Sequence, residues 1–73
     1  MIKAIEVDKD TKKCTDKGVY FRTTFVADTE SDVAEMNAEG SGYLNYPAGS
    51  AVICCETGSA YLMNASEDEY KKV

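Results

Sequence analysis

The 73-residue chain has no histidine and no tryptophan, a single proline, and neither lysine nor arginine between residues 23 and 70. Without an imidazole, acid–base work near neutrality would fall to a carboxylate, lysine or thiol with a strongly displaced pKa. Displacing one takes deep burial, which so short a chain builds with difficulty. No enzymatic activity and no catalytic residue are therefore expected. Cysteine is scarce and odd in number: Cys14, Cys54 and Cys55. Adjacent cysteines join only through a strained bridge, so reduced thiols are expected rather than a disulfide framework. The Cys-x-x-Cys spacing of a redox pair is missing, and strand alternation would send the sulfurs of Cys54 and Cys55 to opposite faces, one inward and one outward. Three cysteines without histidine do not complete a tetrahedral zinc site. No stretch nears the ~18 consecutive apolar residues of a membrane span. The start, Met1 to Asp8, turns acidic too early for a secretory signal. A soluble chain made in the cytoplasm is expected.

What is present fits a folded protein of one domain, residues 1–73: apolar residues make up 44% and charged residues 29%. A core of this size leaves little margin, so protein partners, among them copies of the chain itself, are expected to complete it. The net charge of −5 repels phosphate and disfavours nucleic acid. Charge is also unevenly spread. Lys3, Lys9, Lys12, Lys13, Lys17 and Arg22 lie in the first 22 residues, whereas Asp28, Glu30, Asp32, Glu35, Glu39, Glu56, Glu67, Asp68 and Glu69 lie in the base-free stretch. A mildly basic end and an acidic body can attract one another between copies.

Residues 2–8, rich in Ile and Val, read as a strand. Val19, Phe21, Thr23, Phe25 and Ala27 alternate with Tyr20, Arg22, Thr24, Val26 and Asp28, a sustained period of two that marks the clearest strand. The polar run Asp8–Gly18 between them reads as a long, mobile hairpin loop closed by Asp16-Lys17-Gly18. Thr29-Glu30-Ser31-Asp32 offers a helix cap with acids in the first turn. Val33, Met36 and Asn37 then recur at helical spacing, which predicts a short helix over 30–38. Residues 39–50 read as a connection. A strand over 51–56, a Thr57-Gly58 turn, a return strand over 59–64 with Tyr61 and Met63 opposite Leu62, and an edge strand over 69–73 follow. The expected fold is α+β: a small antiparallel sheet of about five strands in the order β-β-α-β-β-β, with one short helix on a face.

Asp28-x-Glu30-x-Asp32, with Glu39 eleven residues after Asp28, has the acidic spacing of a twelve-residue calcium loop. Val33 stands where that loop needs glycine, however, and a strand precedes it. Acids at a helix start already have a reason in the macrodipole, so no metal and no cofactor are expected. Asn64-Ala65-Ser66 is a formal glycosylation sequon better read as turn residues. Tyrosine buries area at low entropic cost, so Tyr43 and Tyr46, if exposed on the connection together with Leu44, would make a contact patch. A pocket for a small-molecule substrate is more than this core can enclose.

The short acidic helix after a strand, then Pro47-x-Gly49-Ser50, a short apolar strand, Thr57-Gly58-x-x-Tyr61-x-Met63 and an aromatic-Lys ending form a pattern over about 45 residues. It resembles the small proteins of the head and tail structural modules of tailed bacteriophages and prophages. In that group the Pro-x-Gly-Ser lead-in precedes a strand and the Thr-Gly pair turns a hairpin. The end usually carries Trp where this chain has Tyr70. The resemblance implies a non-enzymatic structural or assembly component in the host cytoplasm or virion, working through protein–protein contacts. The alternative is an acidic phage-encoded inhibitor that fills a basic groove of a host protein with carboxylates in place of phosphates. It requires Asp28, Glu30, Asp32, Glu35 and Glu39 to share one face.

Overall fold

A computed structural model describes residues 1–73. Its elements follow in the order β1 (Ile2–Thr15), β2 (Gly18–Ala27), α1 (Glu30–Met36), a 3-10 turn (Gly42–Asn45), β3 (Ala51–Cys54), β4 (Ala60–Met63) and β5 (Tyr70–Lys72). All five strands lie in one sheet, in the spatial order of the sequence. The α+β class and the β-β-α-β-β-β order therefore hold. One ladder departs from the antiparallel expectation, since β2 and β3 run parallel, with Phe25 beside Val52 and Ala27 beside Cys54. Parallel neighbours need a crossover, and residues 28–50 supply it. They carry the chain from the end of β2 across one face and back to the start of β3.

The crossover covers that face. Phe25, Ala27, Val52, Cys54, Met63 and Tyr70 point into it from the sheet, and Val33 and Met36 of α1 close over them as one buried cluster. Val33 and Met36, three apart on a two-turn helix, form its only buried stripe. The helix starts at a capping box: the Thr29 hydroxyl accepts from the Asp32 N–H (3.2 Å), and the Asp32 carboxylate accepts from the Thr29 N–H (3.3 Å). Just beyond its end, the Asn37 amide both accepts from the Tyr70 N–H (2.7 Å) and donates to the Tyr70 carbonyl (3.0 Å). A side chain thus occupies the outer edge of β5 where another strand would pair.

The run Asp8–Gly18 is not a loop. β1 continues to Thr15, and the hairpin turns tightly at Asp16 and Lys17. The polar stretch is accommodated by a bulge: β2 steps from Arg22 to Phe21 while β1 inserts Lys9, Asp10 and Thr11 between Asp8 and Lys12. The Asp8 carboxylate fastens it, accepting from the Asp10 N–H (3.0 Å) and the Thr11 hydroxyl (3.5 Å) and pairing with Arg22. Beyond the bulge the ribbon is fastened to the connection and to the turn between β4 and β5. There Tyr20 meets Tyr46 edge-on (5.1 Å between ring centres) and Lys13 pairs with Glu67 (3.2 Å).

The Pro47-x-Gly49-Ser50 lead-in has a specific mechanical role. Gly49 has φ +90°, a backbone that favours glycine, and a Cβ there would also crowd the Arg22 side chain at 3.0 Å and make it shift. Ser50 is fully buried, and its hydroxyl accepts from the buried Thr23 N–H (3.2 Å) one residue before β2 gains β3 as a neighbour.

Candidate interaction surfaces

Three surfaces carry the residues that sequence reasoning singled out or overlooked. The first is the connection. Tyr43, Leu44 and Tyr46 are half-buried and pack against the core cluster rather than standing free. Phe25 is clamped edge-on by both Tyr43 (5.3 Å) and Tyr46 (5.0 Å), and the Tyr43 carbonyl accepts from the Tyr70 hydroxyl (2.7 Å). Exposure together on the loop is the condition for a contact patch, and these contacts leave the three side chains only partly exposed. Part of their apolar area closes the covered face. Burial also pushes the Tyr70 phenol well above its ordinary pKa.

The second surface is acidic, and its five carboxylates divide. Asp28 and Asp32 both approach the Met1 ammonium (3.3 and 2.6 Å). Hydrogen bonding to that ammonium holds the Asp32 carboxyl below its ordinary pKa, and the same bond raises the amine. Glu30 turns the other way and accepts from the Tyr61 hydroxyl through both oxygens (2.7 and 2.9 Å). That contact lowers the Glu30 carboxyl and pushes the Tyr61 phenol up to about 12. Only Glu35 and Glu39 remain exposed with no hydrogen bond or ion pair of their own. Asp28, Glu30 and Asp32 are thus committed within the chain, and no three Cys, Asp or Glu side chains come together closely enough to hold a metal ion.

The third surface is the face of the sheet opposite α1. Partners across a ladder point to the same side, so the pairings read out this face row by row. One row runs Glu6, Thr24, Ala51, Leu62, Lys71 from β1 to β5. The next runs Lys3, Val26, Ile53, Ala60 and ends at Val73, whose N–H donates to the Ala60 carbonyl (2.9 Å). Ile53 is 41% exposed, Leu62 44% and Val73 80%, while Val26, Thr24 and Ala51 are half-buried. Helix and connection both lie on the other side, so this face is apolar at its centre and open. Such a patch on a folded chain marks a contact surface more often than single scattered apolar residues do.

Neither Ile53 nor Leu62 was among the expected contact residues, although their signal was in the sequence. In Phe25-Val26-Ala27, Val52-Ile53-Cys54 and Tyr61-Leu62-Met63 both alternating positions are apolar, where a sheet solvated on one face would carry polar residues outside. Cys54 is buried at the end of β3 and Cys55 is exposed in the turn beyond it, so the two differ in burial as expected but not through alternation along one strand; both are free thiols, as is Cys14. No helix is long and apolar enough to cross a membrane. No family model, curated protein or solved structure matches the chain.

Proposed function

We propose that this protein is a non-enzymatic structural or assembly component of a phage or prophage particle, present in the host cytoplasm before assembly and in the virion after it, and that it docks on protein through the open face of its sheet. The observation that carries the reading is the exposed apolar centre made by Ile53 and Leu62, with Val73 at its edge, on a sheet whose other face is already filled. Leaving such side chains in water forgoes roughly 25 cal/mol for each Å² that a partner would cover. The phage assignment rests on the resemblance of residues 28–73 alone.

The acidic-inhibitor reading has less behind it. Of its five carboxylates, Asp28, Glu30 and Asp32 already have partners within the chain, and mimicry of a phosphate row asks for several free charges along one face. The test is incorporation. In cells that carry the gene, particles purified after induction or infection should contain the chain in fixed stoichiometry, Leu62→Glu should be lost from them, and Glu35→Gln with Glu39→Gln should be retained. Particles and assembly intermediates free of the chain would refute the reading. Loss with the glutamate variants instead of Leu62→Glu would move the contact to the acidic side.

A further inference from the structure

The open face carries a charge arrangement that selects an occupant. In the row Glu6, Thr24, Ala51, Leu62, Lys71 the acid stands at one edge of the sheet and the base at the other, with Ala51 at the middle on β3, the central strand. Glu6 and Lys71 are both exposed, and neither has an ion-pair partner within the chain. A row with opposite charges at its ends complements itself when turned about its middle.

We propose that the open face receives a second copy of this chain, stacked sheet on sheet about a two-fold axis that runs along β3, so that Glu6 of each copy meets Lys71 of the other. This deepens the docking role proposed above and rests on it for the identity of the face. Turning the face about β3 lays β1 over β5 and β2 over β4. In the first row Ala51 then meets Ala51 and Leu62 lies over Thr24 of the second copy. In the second row Ile53 meets Ile53, Val26 lies over Ala60, and the aliphatic stem of Lys3 covers Val73. The small Ala51 at the axis lets the two sheets approach to the ~10 Å of a sandwich, and the larger Leu62, Val26 and Ile53 fill the space around it. Tyr20 and Lys13 tie the β1–β2 ribbon to Tyr46 of the connection and to Glu67 of the β4–β5 turn, so the contact is drawn from the rows between Glu6 and Lys71 and between Lys3 and Val73 alone. An isologous contact of this kind closes on itself and yields a dimer rather than a fibre.

The face is small. Five strands ~4.8 Å apart and about four residues long offer roughly 300 Å² of projected area per copy, the low end of interface sizes, so the dimer is a weak, transient one.

Sedimentation equilibrium of the full chain from about 50 µM to about 1 mM, with concentration-dependent amide shifts, tests the inference at the weak end of the affinity scale. The expected result is a monomer–dimer equilibrium with shifts centred on Thr24, Val26, Ala51, Ile53, Ala60 and Leu62. Leu62→Glu should abolish it. Glu6→Lys and Lys71→Glu should each weaken it roughly five-fold or more at low salt, and the two together should restore it to within about two-fold. A monomer throughout the range overturns the inference, as does a shift map centred on Glu35 and Glu39, or a charge swap that fails to rescue. Should Leu62→Glu unfold, the wild-type shift map and the charge swap still decide. A monomeric chain that nonetheless enters particles through Leu62 would remove the second copy and keep the function. A dimer absent from every particle would do the opposite.

Discussion

The two halves of β2 live in different environments. From Thr24 to Ala27, with Thr23 joined to Ser50 just before, the strand has a neighbour on each side and one face under α1 and the connection. From Gly18 to Arg22 it has only β1, and the pair projects as a ribbon. Every buried residue belongs to the first region or to the elements packed on it; none lies between Asp8 and Arg22. The ribbon is held by side-chain clasps instead: Asp8 across the bulge, Lys13 on Glu67, and Tyr20 on Tyr46 and Asn45. Glu67 takes up a left-handed backbone (φ 59°), and besides Lys13 its carboxylate accepts from the Ala48 N–H (2.8 Å). A residue in that conformation persists because its surroundings hold it there. Within one sheet, then, burial orders the body and polar contacts order the ribbon, and the two should fail under different conditions.

The largest separation should come from side-chain truncation. Met36 is fully buried under the sheet, and Met36→Ala should cost about 2–5 kcal/mol, comparable to the whole stability of so small a fold. Val19 on the ribbon is 53% exposed, and Val19→Ala should change stability by about 0.5 kcal/mol or less. Urea unfolding followed by circular dichroism compares the two directly, and similar midpoints would end the distinction. Next in size is the joint. Ser50→Ala leaves the buried Thr23 N–H without its acceptor, for about 1–3 kcal/mol. The Thr23 amide should exchange with solvent faster than its β2 neighbours, and an unchanged rate would mean that water takes over the bond.

The body was far easier to read from the sequence than the ribbon. Phe25, Ala27, Val52, Cys54 and Met63 declare their inward positions by alternation, because a face buried under one layer imposes a strict period of two. Thr29 and Asp32 declare the helix start by chemistry local to four residues. In Lys9-Asp10-Thr11-Lys12-Lys13 no face is buried and no period develops, so a bulged strand and a loop look the same. What distinguishes them is the Asp8–Arg22 contact, made across fourteen positions that local pattern does not span. The direction of β3 was illegible for a related reason. Residues 37–50 carry turn chemistry compatible with a return on either side, and the choice is made by where Met36, Tyr43 and Tyr46 find apolar area. The open face was written plainly in Val26, Ile53 and Leu62, but an apolar residue facing out resembles one facing in until the layer above it is known to be missing.

Removing the Asp8 clasp should separate the regions without a large loss of overall stability. Asp8→Asn keeps the shape of the side chain but gives up the charge that pairs with Arg22. Amides from Asp10 to Phe21 should exchange several-fold faster, while Val52, Cys54 and Met63 stay unchanged, the pattern of a sub-global opening. Acceleration shared equally by β3 and β4 would show that ribbon and body unfold as one unit and would break the comparison at its root.

The mildest perturbation is acid, and it should reproduce that pattern in the unmodified chain. The Asp10 N–H, assisted by Arg22, holds the Asp8 carboxyl below its ordinary pKa, and the Ala48 N–H, assisted by Lys13, does the same for Glu67. A carboxyl that titrates lower in the fold than in the open chain contributes stability that is complete above its ordinary pKa, about 4, and is lost as pH falls through the depressed value. The two carboxylate clasps should therefore release as pH falls below about 4, leaving the contacts of Tyr20 with Tyr46 and Asn45. Asp32 and Glu30 are lowered as well, so the start of α1 should loosen in the same window. Phe25, Val52, Cys54 and Met63 have no charge to lose. Between about pH 4 and pH 2, amide exchange should rise first in residues 9–21 and at the α1 start, with β3 and β4 protected until last. Simultaneous loss of protection along both halves of β2 would mean that the Thr23–Ser50 joint couples them more tightly than their separate contacts imply.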